Sequence, residues 1–116
     1  MTEIRAFDLF GEVCVDSEDG AKLCDLTHAA LNEGESVCLD FSGVTTLASA
    51  FLNMAVGCLY SFFDPEDLDR RLHWKGLDAT DESIMRFVQR NAIRFYAADQ
   101  RKREELVASS SRAVEE

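Results

Sequence analysis

Residues 37–63, VCLDFSGVTTLASAFLNMAVGCLYSFF, read as a buried strand, a tight turn and a buried helix. VCLDF is a short apolar run of strand-forming residues broken by one acid. Ser42 and Gly43 punctuate it, and from about Ser49 the apolar residues recur at helical spacing. Any chemistry belongs to the turn. Asp40, near the strand end, and Ser49, near the helix start, are the polar groups such a unit presents to a ligand or partner.

The helix expected over Ser49–Phe63 is apolar around most of its circumference and must be largely buried. Its remaining stripe holds Ser49, Asn53, Gly57 and Ser61 at successive i,i+4 positions. Serine at a helix start is a natural cap. Glycine in mid-helix costs about 1 kcal/mol relative to alanine, so Gly57 implies close packing by a neighbouring helix or by a partner.

Upstream, Ile4–Phe10 and Val13–Val15 read as two short strands around a turn at Gly11. Asp16–Gly20 supplies a helix start with acids at its positive end, and the helix runs to about Asn32. A wheel groups Leu23, Cys24, Leu26, Thr27, Ala30 and Leu31 on its buried side and leaves His28 on the polar side. Gly34 closes that helix. Downstream, Asp64-Pro65-Glu66-Asp67 opens a short helix through Arg71, and Leu72–Trp74 reads as a strand ending at Gly76. The last long helix opens at Thr80, with Ile84, Val88, Ala92 and Phe95 inward and Met85, Phe87 and Tyr96 flanking them. Arg86, Arg90 and Arg94 lie opposite. Glu82 can pair with Arg86, which makes the basic stripe a solvated face.

The chain has 116 residues, 47% of them hydrophobic, enough for one domain to bury a core without metals or disulfides. The expected domain spans residues 1–100, and residues 101–116, RKREELVASSSRAVEE, read as a charged, frayed C-terminal tail. No stretch approaches the roughly 18 apolar residues of a membrane span, and the N-terminus lacks a signal peptide's features, so a cytoplasmic protein is expected. Cys14, Cys24, Cys38 and Cys58 have no metal-ligand spacing and read as reduced core thiols. The net charge of -10 opposes binding to nucleic acid or anionic membrane. Residues 1–69 carry fourteen acids against two bases, net -12, whereas residues 70–116 are net +2, a polarity that can orient a basic partner. No P-loop, dinucleotide fingerprint, zinc-protease motif or nucleophile elbow occurs, so neither catalytic residue, metal nor cofactor is assigned.

LDFSGVTTLASAFLNMAVG (residues 39–57), PEDLDRRL (65–72) and RNAIRFY (90–96), after an E-D-G opening within residues 11–20, resemble STAS domains. The match is nearer to the STAS-like family of unknown function found in small bacterial proteins, and it extends from about residue 4 to residue 98. The resemblance implies an α/β fold, a mixed sheet of about four strands with helices packed mainly on one face. It also implies a non-catalytic regulatory domain that docks reversibly to a protein partner, by analogy an ATPase-kinase-like regulator. Ser49 occupies the position of the serine phosphorylated in anti-sigma factor antagonists, but the acid expected beside it is Ala48 here. The implied partner-binding or regulatory residues are Asp40, Ser49, Asn53 and Gly57. A small-ligand sensor would instead need a pocket near Asp40 and Ser49, and an enzyme would need convergent Asp, Ser, Cys or His groups in a cleft.

Overall fold

The computed structural model describes the backbone of residues 1–115 and the side chains of residues 1–97. Three strands, β1 (Thr2–Arg5), β3 (Val37–Asp40) and β5 (Leu72–Lys75), form a parallel sheet in the order β1-β3-β5. In register across it lie Thr2, Val37 and Leu72, then Glu3, Cys38 and His73, then Ile4, Leu39 and Trp74, then Arg5, Asp40 and Lys75. Because strand side chains alternate, the rows through Val37 and Leu39 face the core and the other two face outward. The covering helices are α2 (Ser17–Asn32), α3 (Ser49–Ala55) and α5 (Ala79–Glu115).

The N-terminal segment differs from the expected pair of strands. Strand β1 stops at Arg5, and Ala6–Phe10 coils into a short helix, α1, before Gly11. Ala6 is buried and Phe10 half-buried, while Phe7, Asp8 and Leu9 are exposed, a helical rather than an alternating pattern. Strand β2 (Val13–Cys14) therefore does not fold back on β1 but pairs in parallel with β4 (Thr46–Leu47). The expected mixed sheet of about four strands is thus a three-stranded and a two-stranded ladder, with every pairing among the described residues parallel.

Helix α2 spans the expected residues. Asp16 caps it by accepting a 2.8 Å hydrogen bond from the Glu18 N–H, and Leu23, Cys24, Thr27 and Leu31 are buried. Leu26 stays exposed, and His28 is half-buried with its ring stacked on Phe62 at 4.3 Å instead of lying free on the polar side. Gly20 packs against α3 so closely that a Cβ would overlap the Phe51 carbonyl oxygen and come within 3.0 Å of the Met54 Cβ.

The long helix expected over Ser49–Phe63 is divided. α3 ends at Ala55, Val56 still donates to the Leu52 carbonyl at 2.9 Å but with φ stretched to −114°, and Gly57–Ser61 forms a 3-10 turn. The tighter winding of that turn buries Gly57, Leu59 and Tyr60 together and leaves Ser61 and Phe62 outside. Helix α4 (Pro65–Arg71) and β5 follow with the expected boundaries to within a residue. On α5 the inward residues are Met85, Val88 and Ala92, whereas Phe95 is exposed and packs edge-on against Tyr96. The α5 backbone runs on through the segment read as a tail, whose side chains lie outside those described.

Phe51, fully buried, meets Phe10 edge to face at 5.6 Å and joins α1, α2 and α3 to the core. Phe51→Ala is expected to cost about 3–5 kcal/mol in a urea melt. A loss below about 1 kcal/mol would remove Phe51 from the core.

Candidate functional site

Ligand sites in open α/β sheets gather at the carboxyl ends of the strands, where β3 ends in Asp40 and runs into Phe41-Ser42-Gly43. The Asp40 side chain is 8% exposed although it belongs to the outward row. Its Oδ1 accepts a 2.9 Å hydrogen bond from the Ser42 N–H, and Arg5 Nε lies 3.9 Å from its Oδ2. Hydrogen bonding from Ser42, helped by Lys75 and Arg5 in the same row, holds the carboxyl below the usual carboxylate range against the opposing effect of burial. Asp40 therefore closes a turn, its Oδ1 serving the protein's own backbone and its Oδ2 facing Arg5.

The turn is locked from two sides. Phe41 donates its N–H to the Lys75 carbonyl at 2.9 Å, and Val44 donates to the Phe41 carbonyl at 3.0 Å. Gly76 has φ +82°, and a Cβ there would overlap the Ser42 backbone nitrogen, so only glycine lets the chain leave β5 this close to the turn. Beyond it, Thr45 and Thr46 donate to the Glu12 carbonyl at 2.8 and 3.1 Å, and Ala48 donates to the Cys14 carbonyl at 3.0 Å. These bonds lead the chain past β2 and into α3.

Ala48 is the residue that caps α3, and it lacks a side-chain cap; Ser49 is the first helical residue. The expected capping role therefore falls one residue out of register. Ser49 is exposed, with no hydrogen bond for its hydroxyl among the described residues. Asn53, one turn on, is exposed as well. Gly57 does not continue this line: it is buried, and a Cβ there would sit 3.5 Å from Val88 Cγ1 and 3.7 Å from the Ala92 Cβ of α5. Of the four residues singled out in the sequence, Ser49 and Asn53 share a surface, Asp40 supports the adjoining loop, and Gly57 packs internally.

Around this segment lie exposed apolar side chains that the strand-and-wheel reading did not assign to a surface. Phe7 packs beside Gly43 and is 37% exposed; Val13, opposite Thr46, is 51% exposed. Val15, one residue beyond the β2–β4 ladder, is 41% exposed, and Met54, next to Asn53, 37%.

Three of the thiols are shifted away from the thiolate form. Burial raises Cys14, Cys24 and Cys38, with Cys24 pushed up to about 12 beside Cys58, the reverse of the shift a nucleophilic thiolate needs. No group of three or more metal-ligating side chains occurs among the described residues, and no helix there is long and apolar enough to cross a membrane.

A family model described as a STAS-like domain of unknown function matches residues 19–82, more than half of the chain. The chain belongs to this STAS-like family. The match runs from the first turn of α2 into the first turn of α5 and so contains the loop, Ser49 and α3. Neither the resemblance noted before residue 19 nor RNAIRFY lies within it. No curated protein and no solved structure matches the chain.

Arg71 went unread in the sequence although Asp67, one turn earlier, marked it. Its guanidinium bonds Asp67 Oδ2 at 2.9 Å, the Leu31 carbonyl, and the Glu35 carbonyl at 3.0 Å, satisfying backbone acceptors at the end of α2.

A carboxyl whose folded-state value lies below its unfolded one adds stability above about pH 4 and loses it as pH falls through the folded value. Asp40→Asn keeps the acceptor but not the charge. It is expected to cost about 1 kcal/mol at pH 7, the difference from wild type closing as the pH falls through and below the ordinary carboxylate range. Melts at stepped pH check this; a difference that widens on acidification would contradict the assignment.

Proposed function

We propose that this STAS-like domain is a non-catalytic regulatory module that docks reversibly to a protein partner through the surface around the Asp40–Thr46 loop and the outward side of α3. The observation that carries the reading is the set of exposed apolar side chains on the adjoining segments, Phe7 beside Gly43, Val13 opposite Thr46, Val15 and Met54, together with exposed Ser49 and Asn53, whose side chains make no hydrogen bond among the described residues. Apolar side chains grouped about small polar ones are the usual make-up of a reversible contact. The parallel ladders, the Asp40 turn and the Gly76 contact hold that surface on a rigid base. An ATPase-kinase-like regulator in the cytoplasm is the partner class that the family resemblance suggests, with Ser49 where a regulatory phosphate would change the charge of the contact.

The test is capture from lysate of the native host with wild-type chain and with Val15→Asp/Ser49→Asp/Asn53→Arg. All three sites are exposed, so the variant is expected to melt within about 1 kcal/mol of wild type. Loss of the captured partner by this variant, but not by Glu66→Arg on α4, is expected. A folded triple variant that retains every wild-type partner would show that the surface is misplaced.

A further inference from the structure

A cleft of about 330 Å³ lies between α4, β5 and α5, lined by Asp69, Leu72, His73, Trp74, Glu82 and Gln89. It shares no residue with the docking surface proposed above, so the two readings stand or fall separately. Its hydrogen-bonding character follows from bonds already made. Gln89 donates its amide N–H to the Tyr60 hydroxyl at 3.1 Å, which leaves the amide oxygen as an acceptor.

The carboxylates come from separate elements. Asp69 of α4 has no ion pair among the described residues. Glu82 of α5 pairs with Arg86 at 3.5 Å, an exposed i,i+4 contact worth only a few tenths of a kcal/mol and readily exchanged. Trp74 adds an indole, the aromatic that holds a cation best. An amide acceptor, two carboxylates and an indole in one cleft suit a flat cation with several N–H donors. That is a guanidinium rather than an ammonium.

The cleft also runs beside the outer edge of β5, which ends the sheet; no strand among the described residues pairs with that edge. Leu72 already gives its N–H to the Leu68 carbonyl, leaving Trp74 as the place where an extended segment can meet the edge. We propose that this cleft binds the arginine side chain of an extended peptide segment, with the guanidinium between Asp69 and Glu82 and against Trp74.

Trp74 is the only tryptophan of the chain, so its fluorescence reports on this cleft alone. The full-length protein would be titrated to about 5 mM with acetyl-Val-Arg-Val-amide, with the same peptide carrying neutral citrulline, and with ethylguanidinium as a free small cation. A saturable change is expected for the arginine peptide, at least tenfold tighter than for ethylguanidinium, and none for the citrulline peptide. Asp69→Asn/Glu82→Gln is expected to weaken the arginine peptide about tenfold or more with an unchanged melt, equivalent to about 1.4 kcal/mol. Equal responses to arginine and citrulline, or a variant within twofold of wild type, would overturn the cation site. Ethylguanidinium binding as tightly as the peptide would overturn the peptide assignment, and no saturable change with any probe would overturn both.

Discussion

The crossing of α2 over α3 at Gly20 is the contact on which the remaining architecture depends. Both helices must cover one face of a sheet only three strands wide, and there the backbone of one meets the Phe51 carbonyl of the other. Interiors are packed as densely as organic crystals, so a contact of backbone against backbone cannot be relieved by turning a side chain. Phe51 is thereby seated under α2 and against Phe10, and α3 is fixed in rotation. That rotation decides which residues reach solvent. Phe51, Leu52 and Ala55 go in, while Ser49, Asn53 and part of Met54 stay out.

The same economy governs the other end of the sheet. β3 and β5 leave the sheet side by side, with Phe41 bonded to Lys75 and Gly76 against Ser42, so the loop carrying the candidate surface begins from a closed, charged corner. The outward sheet face is not covered by the helices. It carries Glu3, Arg5, His73 and Lys75, with Lys75 Nζ 3.3 Å from Glu3 Oε2 and Arg5 3.9 Å from Asp40. Opposite charges on neighbouring strands let a parallel sheet, usually buried on both faces, present one face to water.

Much of the fold was legible in the sequence. The strand-turn-helix order of residues 37–55, the limits of α2, the proline-led α4 and the β5 strand all follow from periodicity, caps and turn residues. What periodicity could not supply was three-dimensional. Ala6–Phe10 is too short for its helical spacing to stand out from a strand, and Gly57 lies on a regular i,i+4 line until the backbone tightens into a 3-10 turn and rotates it inward. Phe95 was placed inward by a wheel whose true stripe runs through Met85, Val88 and Ala92. The Ser49 and Asn53 surface was readable because both are polar interruptions in an apolar helix. The Asp69, Trp74, Glu82 and Gln89 cleft was not, because its walls come from three elements and no local pattern joins them.

Gly20 inside α2 and Gly57 in the 3-10 turn are both buried but meet opposite surroundings, which makes their comparison the most direct test. Gly20→Ala places a methyl group against the Phe51 carbonyl, while at Gly57 a Cβ meets Val88 and Ala92 at ordinary contact distances. Paired urea melts of the two single variants measure the difference. If the α2–α3 crossing governs the fold, Gly20→Ala loses about 2 kcal/mol or more, and Gly57→Ala stays within about 0.5 kcal/mol of wild type. A Gly20→Ala protein as stable as wild type, or one gaining the roughly 1 kcal/mol that helix propensity alone favours, would contradict the account.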